Sequence, residues 1–136
     1  MALTDFLLAN PVDNMTKEVV VSKRLKDENG EFYKFTIKPM LQEEYLNYQE
    51  QCTTAKKGGK IDFNTKRFNQ LLILNHTISP NFRDAEFLQK AGCVRPEQAL
   101  NKFLLSGEIQ VLAEQIRIVS GFEDSLDDLV DEVKNS

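Results

Sequence analysis

Residues 31–52 read EFYKFTIKPMLQEEYLNYQEQC, and the period of their apolar residues changes at Pro39. Before it, Tyr33, Phe35 and Ile37 alternate with Lys34, Thr36 and Lys38, the period of two that puts alternate side chains on opposite faces of a strand. After it, Leu41, Tyr45, Tyr48 and Cys52 fall at i, i+4, i+7 and i+11, a single stripe along a helix. One stretch that hands a strand over to a helix predicts an α+β fold.

Upstream, Thr16 to Leu25 contains Val19-Val20-Val21, and Asp27-Glu28-Asn29-Gly30 supplies residues that tolerate a tight turn, so 16–39 is predicted to be a β-hairpin. Further back, Leu3, Phe6 and Leu7 form a short apolar segment that should stop at Asn10, since proline at position 11 disfavours a helical residue before it. Downstream, helical spacing continues. Lys56-Lys57-Gly58-Gly59-Lys60 reads as a flexible basic loop, and Asn64 or Thr65 caps a helix whose Phe68, Leu71, Leu72 and Asn75 share a face. Ile73, Leu74 and Ile78 widen its apolar coverage, which predicts the most buried helix, ending at Pro80. Asp84 and Gly92 bracket a short helix through Phe87 and Leu88, the glycine where a left-handed cap belongs. Pro96 suits the first turn of the next, which carries Leu100, Phe103 and Leu104. Ile109, Leu112, Ala113, Ile116 and Val119 then run to Ser120-Gly121, and Leu126, Leu129, Val130 and Val133 make a last stripe after Asp124 or Ser125. The expected architecture is one domain over 1–136. It comprises an apolar segment (1–15), a β-hairpin (16–39), a mostly α body of about five short helices (40–121) and an acidic amphipathic helix (122–136).

Composition narrows the function. With 41% hydrophobic and 28% charged residues the balance is that of a globular chain. The first ten residues lack the basic start and apolar run of a signal peptide, and no run of about 18 apolar residues appears, so a cytoplasmic, non-membrane protein is expected. Residues 123–136 carry six acids against Lys134 alone, a net −5 within a total of −4, so the rest of the chain sums to +1. A nucleic-acid footprint would put a strong basic excess on the body, and the charge argues against one.

Residues for catalysis are scarce. His76 is the sole imidazole, with no nucleophile motif beside it. Cys52, Cys93 and His76 are dispersed and one short of a structural zinc set. Gly59-Lys60 is followed by Ile61 where a phosphate loop needs Ser or Thr. Glu43-Glu44 and Asp127-Asp128 are adjacent and point about 100° apart on a helix, so they do not converge. We expect no catalytic residue, no metal and no cofactor. For protein binding the candidates are Leu126, Leu129, Val130 and Val133, beside the acidic Asp127, Asp128, Asp131 and Glu132, and the N-terminal Leu3, Phe6 and Leu7. Packing of the last stripe on the chain's own body is the competing account.

Several stretches together resemble the XkdN-like tail assembly chaperones of contractile phage tails and related prophage particles. They are Leu3-Thr4-Asp5-Phe6-Leu7-Leu8-Ala9-Asn10-Pro11-Val12, Glu18-Val19-Val20-Val21-Ser22-Lys23-Arg24 and Phe35-Thr36-Ile37-Lys38-Pro39. Further on come Ser79-Pro80-Asn81-Phe82-Arg83-Asp84-Ala85-Glu86-Phe87-Leu88, Leu104-Leu105-Ser106-Gly107-Glu108-Ile109 and Ser120-Gly121-Phe122. The likeness spans nearly the whole chain, and its specificity lies in the ordered set. It implies a chaperone that coats the tape measure protein, recruits tail tube subunits and is absent from the finished particle. Self-association and a longer frameshifted product are also compatible with it, and it transfers no catalytic residue. A structural tail or baseplate component, and a small regulator touching nucleic acid through Lys56 to Arg67, remain the other readings.

Overall fold

The structure, a computed structural model, describes residues 2–122. Helix α1 (Leu3–Ala9) is followed by a single 3-10 turn (Val12–Asn14) and strand β1 (Lys17–Val19). Strand β2 (Phe35–Ile37) pairs antiparallel with β1, Val19 opposite Phe35 and Lys17 opposite Ile37. The hairpin over 16–39 is therefore present, with shorter strands than the periodicity predicts. Its distal part is held by one bridge between Lys26 and Phe32, and the Asp27 carboxylate accepts from the Asn29 and Glu31 N–H groups. Tyr33, placed by alternation on the face of Phe35 and Ile37, is 55% exposed because that face is covered only from Phe35 onward.

Helix α2 (Gln42–Cys52) buries Tyr48 and Cys52 from the expected stripe. Two elements were not expected. Thr53–Ala55 (β3) and Ile61–Phe63 (β4) form a second antiparallel hairpin, so Lys56 to Lys60 is its turn rather than a loose linker. Gly58 and Gly59 take φ of +83° and +79°, which non-glycine residues rarely adopt. Helix α3 (Thr65–His76) is capped by the Asn64 side chain and ends four residues before Pro80. Thr77–Ser79 becomes strand β5 instead, joining the free edge of β2 to give a sheet ordered β1-β2-β5. The Lys38 N–H takes the His76 carbonyl at 2.9 Å, which secures the switch from helix to strand.

Helices α4 (Ala85–Ala91), α5 (Pro96–Phe103) and α6 (Ser106–Val119) complete the described chain. Asp84 caps α4 and Gly92 closes it in the left-handed conformation, with Cys93 N–H bonded back to the Leu88 carbonyl. Helix α3 is the centre of the core: Phe68, Leu71, Leu72, Ile73, Leu74 and His76 are all buried. It packs chiefly on α6, whose Leu112, Ala113 and Ile116 belong to the same buried cluster as Ile37 and Leu100. Among the described residues the result is α+β, with the first hairpin followed by five short helices, α2 to α6. Among the described residues no helix is long and apolar enough to cross a membrane.

Candidate protein-binding surface

Two polar links inside the fold decide what its surface can offer. His76 is fully buried, and its Nε2 lies 2.8 Å from the Tyr48 hydroxyl while Nδ1 makes no hydrogen bond. Burial is the main cause that lowers its pKa and Lys38 adds to it, against the opposing pull of Glu44 and of the Lys38 and Pro39 backbone. Burial thus favours the neutral imidazole, which packs edge-on against the Tyr48 ring with centroids 5.6 Å apart. Tyr48→Phe should cost about 1–2 kcal/mol in urea unfolding, since it strips the imidazole of its partner in a dry site. An unchanged midpoint would contradict this.

The second link joins the hairpin to α6. Glu108 is only 5% exposed, and both its oxygens meet Arg24, at 3.0 Å from Nε and 2.7 Å from Nη2. Oε1 also accepts from the Leu105 N–H at 2.8 Å, capping α6, while Arg24 Nη2 donates to the Phe103 carbonyl at 3.1 Å. The Arg24 hydrogen bonds are the main reason the Glu108 carboxyl titrates at about 2. This clamp fixes the hairpin beside the end of α5.

Between them lies an apolar cleft of about 320 Å³. Leu25, Tyr33 and Phe35 form one wall, Pro80, Phe82 and Phe87 another, and Phe103 with Leu104 the third. The rings interlock: Phe82 and Phe87 are 6.4 Å apart, Phe87 and Phe103 5.6 Å. Lys34 and Ser79 are its polar lining residues, so the cleft matches an apolar side chain rather than a charged substrate. Sequence reasoning missed it as a site, because its walls come from four segments separated along the chain. The ordered stretch Ser79 to Leu88 was the one signal, and it pointed to kinship rather than to a surface.

The N-terminal candidates lie elsewhere and are open. Leu3, Phe6 and Leu7 on α1 are all exposed, as is Leu8 at 83%, and no residue of that helix is buried. Leu126, Leu129, Val130 and Val133 lie outside the described residues. The basic region is partly neutralised: Lys56 faces Asp62 at 3.7 Å and Arg67 faces Glu97 at 3.2 Å. Among the described residues no group of three or more His, Cys, Asp or Glu side chains comes together as a metal site, and Cys52 and Cys93 are free thiols.

A small α+β domain with an aromatic cleft and an uncovered apolar helix is the class of protein that fold and surface define. Its sequence matches the family described as phage XkdN-like tail assembly chaperone protein over residues 3–134, and the chain belongs to that family. It is 28% identical to the phage-like element PBSX protein XkdN of Bacillus subtilis (strain 168), over 98% of this chain and 93% of that protein. It is 25% identical to YqbN of the same organism, with the same coverage. The crystal structure of YqbN superposes with a TM-score of 0.67 at 21% identity, covering 89% of this chain and 97% of that one, a shared fold.

Proposed function

We propose that this chain is a non-enzymatic assembly chaperone that binds the tape measure protein of its own tail and helps bring tail tube subunits to it. The observation that supports this reading is the aromatic cleft, together with the bare apolar face of α1, on a member of the tail assembly chaperone family. A tape measure protein is a long helix with apolar stripes, which aggregate unless covered. Many copies of a small domain, each gripping weakly, shield such a rod and still release it when tube subunits arrive. On this reading the protein acts as a single domain in the host cytoplasm and leaves before the particle is finished.

The test is a pull-down with the tape measure and tube proteins of the same gene cluster, alongside the composition of purified tails. Capture of the tape measure protein and absence from tails are expected; stoichiometric presence in mature tails would make it a structural component instead. Tyr33 and Phe103 line the cleft yet are exposed, so Tyr33→Ser with Phe103→Ser should leave the circular dichroism spectrum unchanged. Loss of two aromatic anchors should weaken tape measure binding roughly 10- to 100-fold. Binding at wild-type strength would move the contact away from the cleft.

A further inference from the structure

Every copy of this chain carries two apolar surfaces that the described fold leaves open. One is α1. Its Leu3, Phe6 and Leu7 stand at i, i+3 and i+4 on one helical face, and no residue of the helix is buried. The other is the aromatic cleft. At about 320 Å³ it lies at the small end of ligand pockets, a size for one or two apolar side chains rather than for a whole helix. A pair of projecting knobs and an apolar hole are thus present on the same molecule.

The fold keeps the two apart. The chain enters β1 at Lys17, opposite Ile37, whereas Phe35 and Tyr33 of the cleft lie toward the other end of β2. Val12 and Met15, in the stretch that joins α1 to β1, line a separate cavity with Pro39, Met40 and Leu41. Helix α1 is therefore tethered at the end of β2 away from its own cleft.

We propose that α1 of one copy docks in the cleft of a second copy of this chain, Phe6 and Leu7 entering between Tyr33, Phe87 and Phe103. Charge supports this occupant. Residues 2–16 hold Asp5 and Asp13 and no Lys or Arg, while Lys34 is the one charged residue lining the cleft. Among the described residues Lys34 makes no ion pair. Opposite signs across a contact favour encounter and carry no like-charge penalty. Exposure supports it too: Tyr33 is 55% and Phe103 42% exposed, so both rings gain cover when Phe6 and Leu7 enter. A seven-residue helix buries far less than the roughly 1,200 Å² of a standard interface, so the contact is weak, with a Kd on the order of 0.1 mM. This docking rests on the cleft receiving an apolar helix, and it makes the neighbour's α1 the occupant that any tail protein must displace.

The experiment uses the full chain with no tail protein present, so its failure leaves tape measure binding untouched. Sedimentation equilibrium from well below to well above the expected Kd should show a mean mass that rises above the monomer. Phe6→Asp with Leu7→Asp removes the knobs, and Tyr33→Ser with Phe103→Ser removes the hole. All four positions are exposed, and unchanged circular dichroism spectra verify the fold. Each double variant alone should associate at least about tenfold more weakly than wild type. Mixed in equal amounts they should associate again, because one supplies an intact cleft and the other an intact α1. Three results would each overturn the proposal: wild type that stays monomeric, a mixture that stays monomeric, or either variant associating by itself as strongly as wild type.

Discussion

Leu72→Ala should lower the unfolding free energy by about 3–4 kcal/mol, the upper part of the range for deleting a fully enclosed leucine. Leu72 has no exposed surface and sits on the helix that touches α2, α5, α6 and β5, so no single neighbour can move in to fill the void. Both terms therefore apply in full: the lost transfer of three side-chain carbons (one methine and two methyls) and the unrelieved cavity. For a domain whose whole stability is about 5–15 kcal/mol this is a large share. In urea the midpoint should fall with the slope unchanged, since the surface exposed on unfolding hardly alters. Leu105→Ala, at a position 60% exposed, is the control and should shift stability by less than about 0.5 kcal/mol. A loss under about 1 kcal/mol at Leu72 would show that α3 is not the centre of the core.

That centrality was legible in the sequence, because apolar residues on more than one face of a helix leave no face for water. Leu71, Leu72, Ile73 and Leu74 are consecutive, and all four are buried. The end of the helix was not legible. Ile78 continues the apolar spacing, and only tertiary structure reveals that the open edge of β2 captures Thr77 to Ser79 as β5. The second hairpin escaped for another reason. Ile61 and Phe63 alternate, but strands of three residues carry too few positions for a period to stand out, and the glycines between them fit a linker equally well. Of the surface, the exposed α1 could be read from Leu3, Phe6 and Leu7, whose segment is cut short by Pro11. The cleft could not, since Tyr33 comes to line one cavity with Phe87 and Phe103 only through the fold. Glu108 was invisible as well. It occurs in the family-like stretch Leu104 to Ile109, yet nothing in that stretch announces a partner at Arg24.

Acid should therefore unfold this protein chiefly through His76 and Glu108, with the Glu97 carboxyl also held below its ordinary value, and Glu108→Gln should remove only the Glu108 part. Consider the signs. His76 has a folded pKa below its ordinary 6.5, so its contribution is complete above that value and is lost as pH falls from 6.5 toward the folded value. Glu108 likewise has a depressed folded pKa, about 2 against 4.5, so its contribution is complete above pH 4.5 and disappears as pH falls from there through about 2. Stability should thus decline in an upper window set by the buried imidazole and then in a lower window set by the clamp. Arg24 is half exposed, so water screens the ion pair, and the cap on the Leu105 N–H supplies part of what Glu108 contributes. Glu108→Gln keeps an oxygen for that N–H but loses the charge that gathers Arg24. It should flatten the decline below pH 4.5 and leave the upper window as in wild type. Glu108→Ala, which also removes the cap, should cost about 2 kcal/mol at pH 7 and loosen the hairpin from the end of α5. If the Gln variant loses stability between pH 4.5 and 2 as steeply as wild type, Glu108 is not the carboxyl whose titration sets the lower window, and the Arg24 clamp does not hold it low.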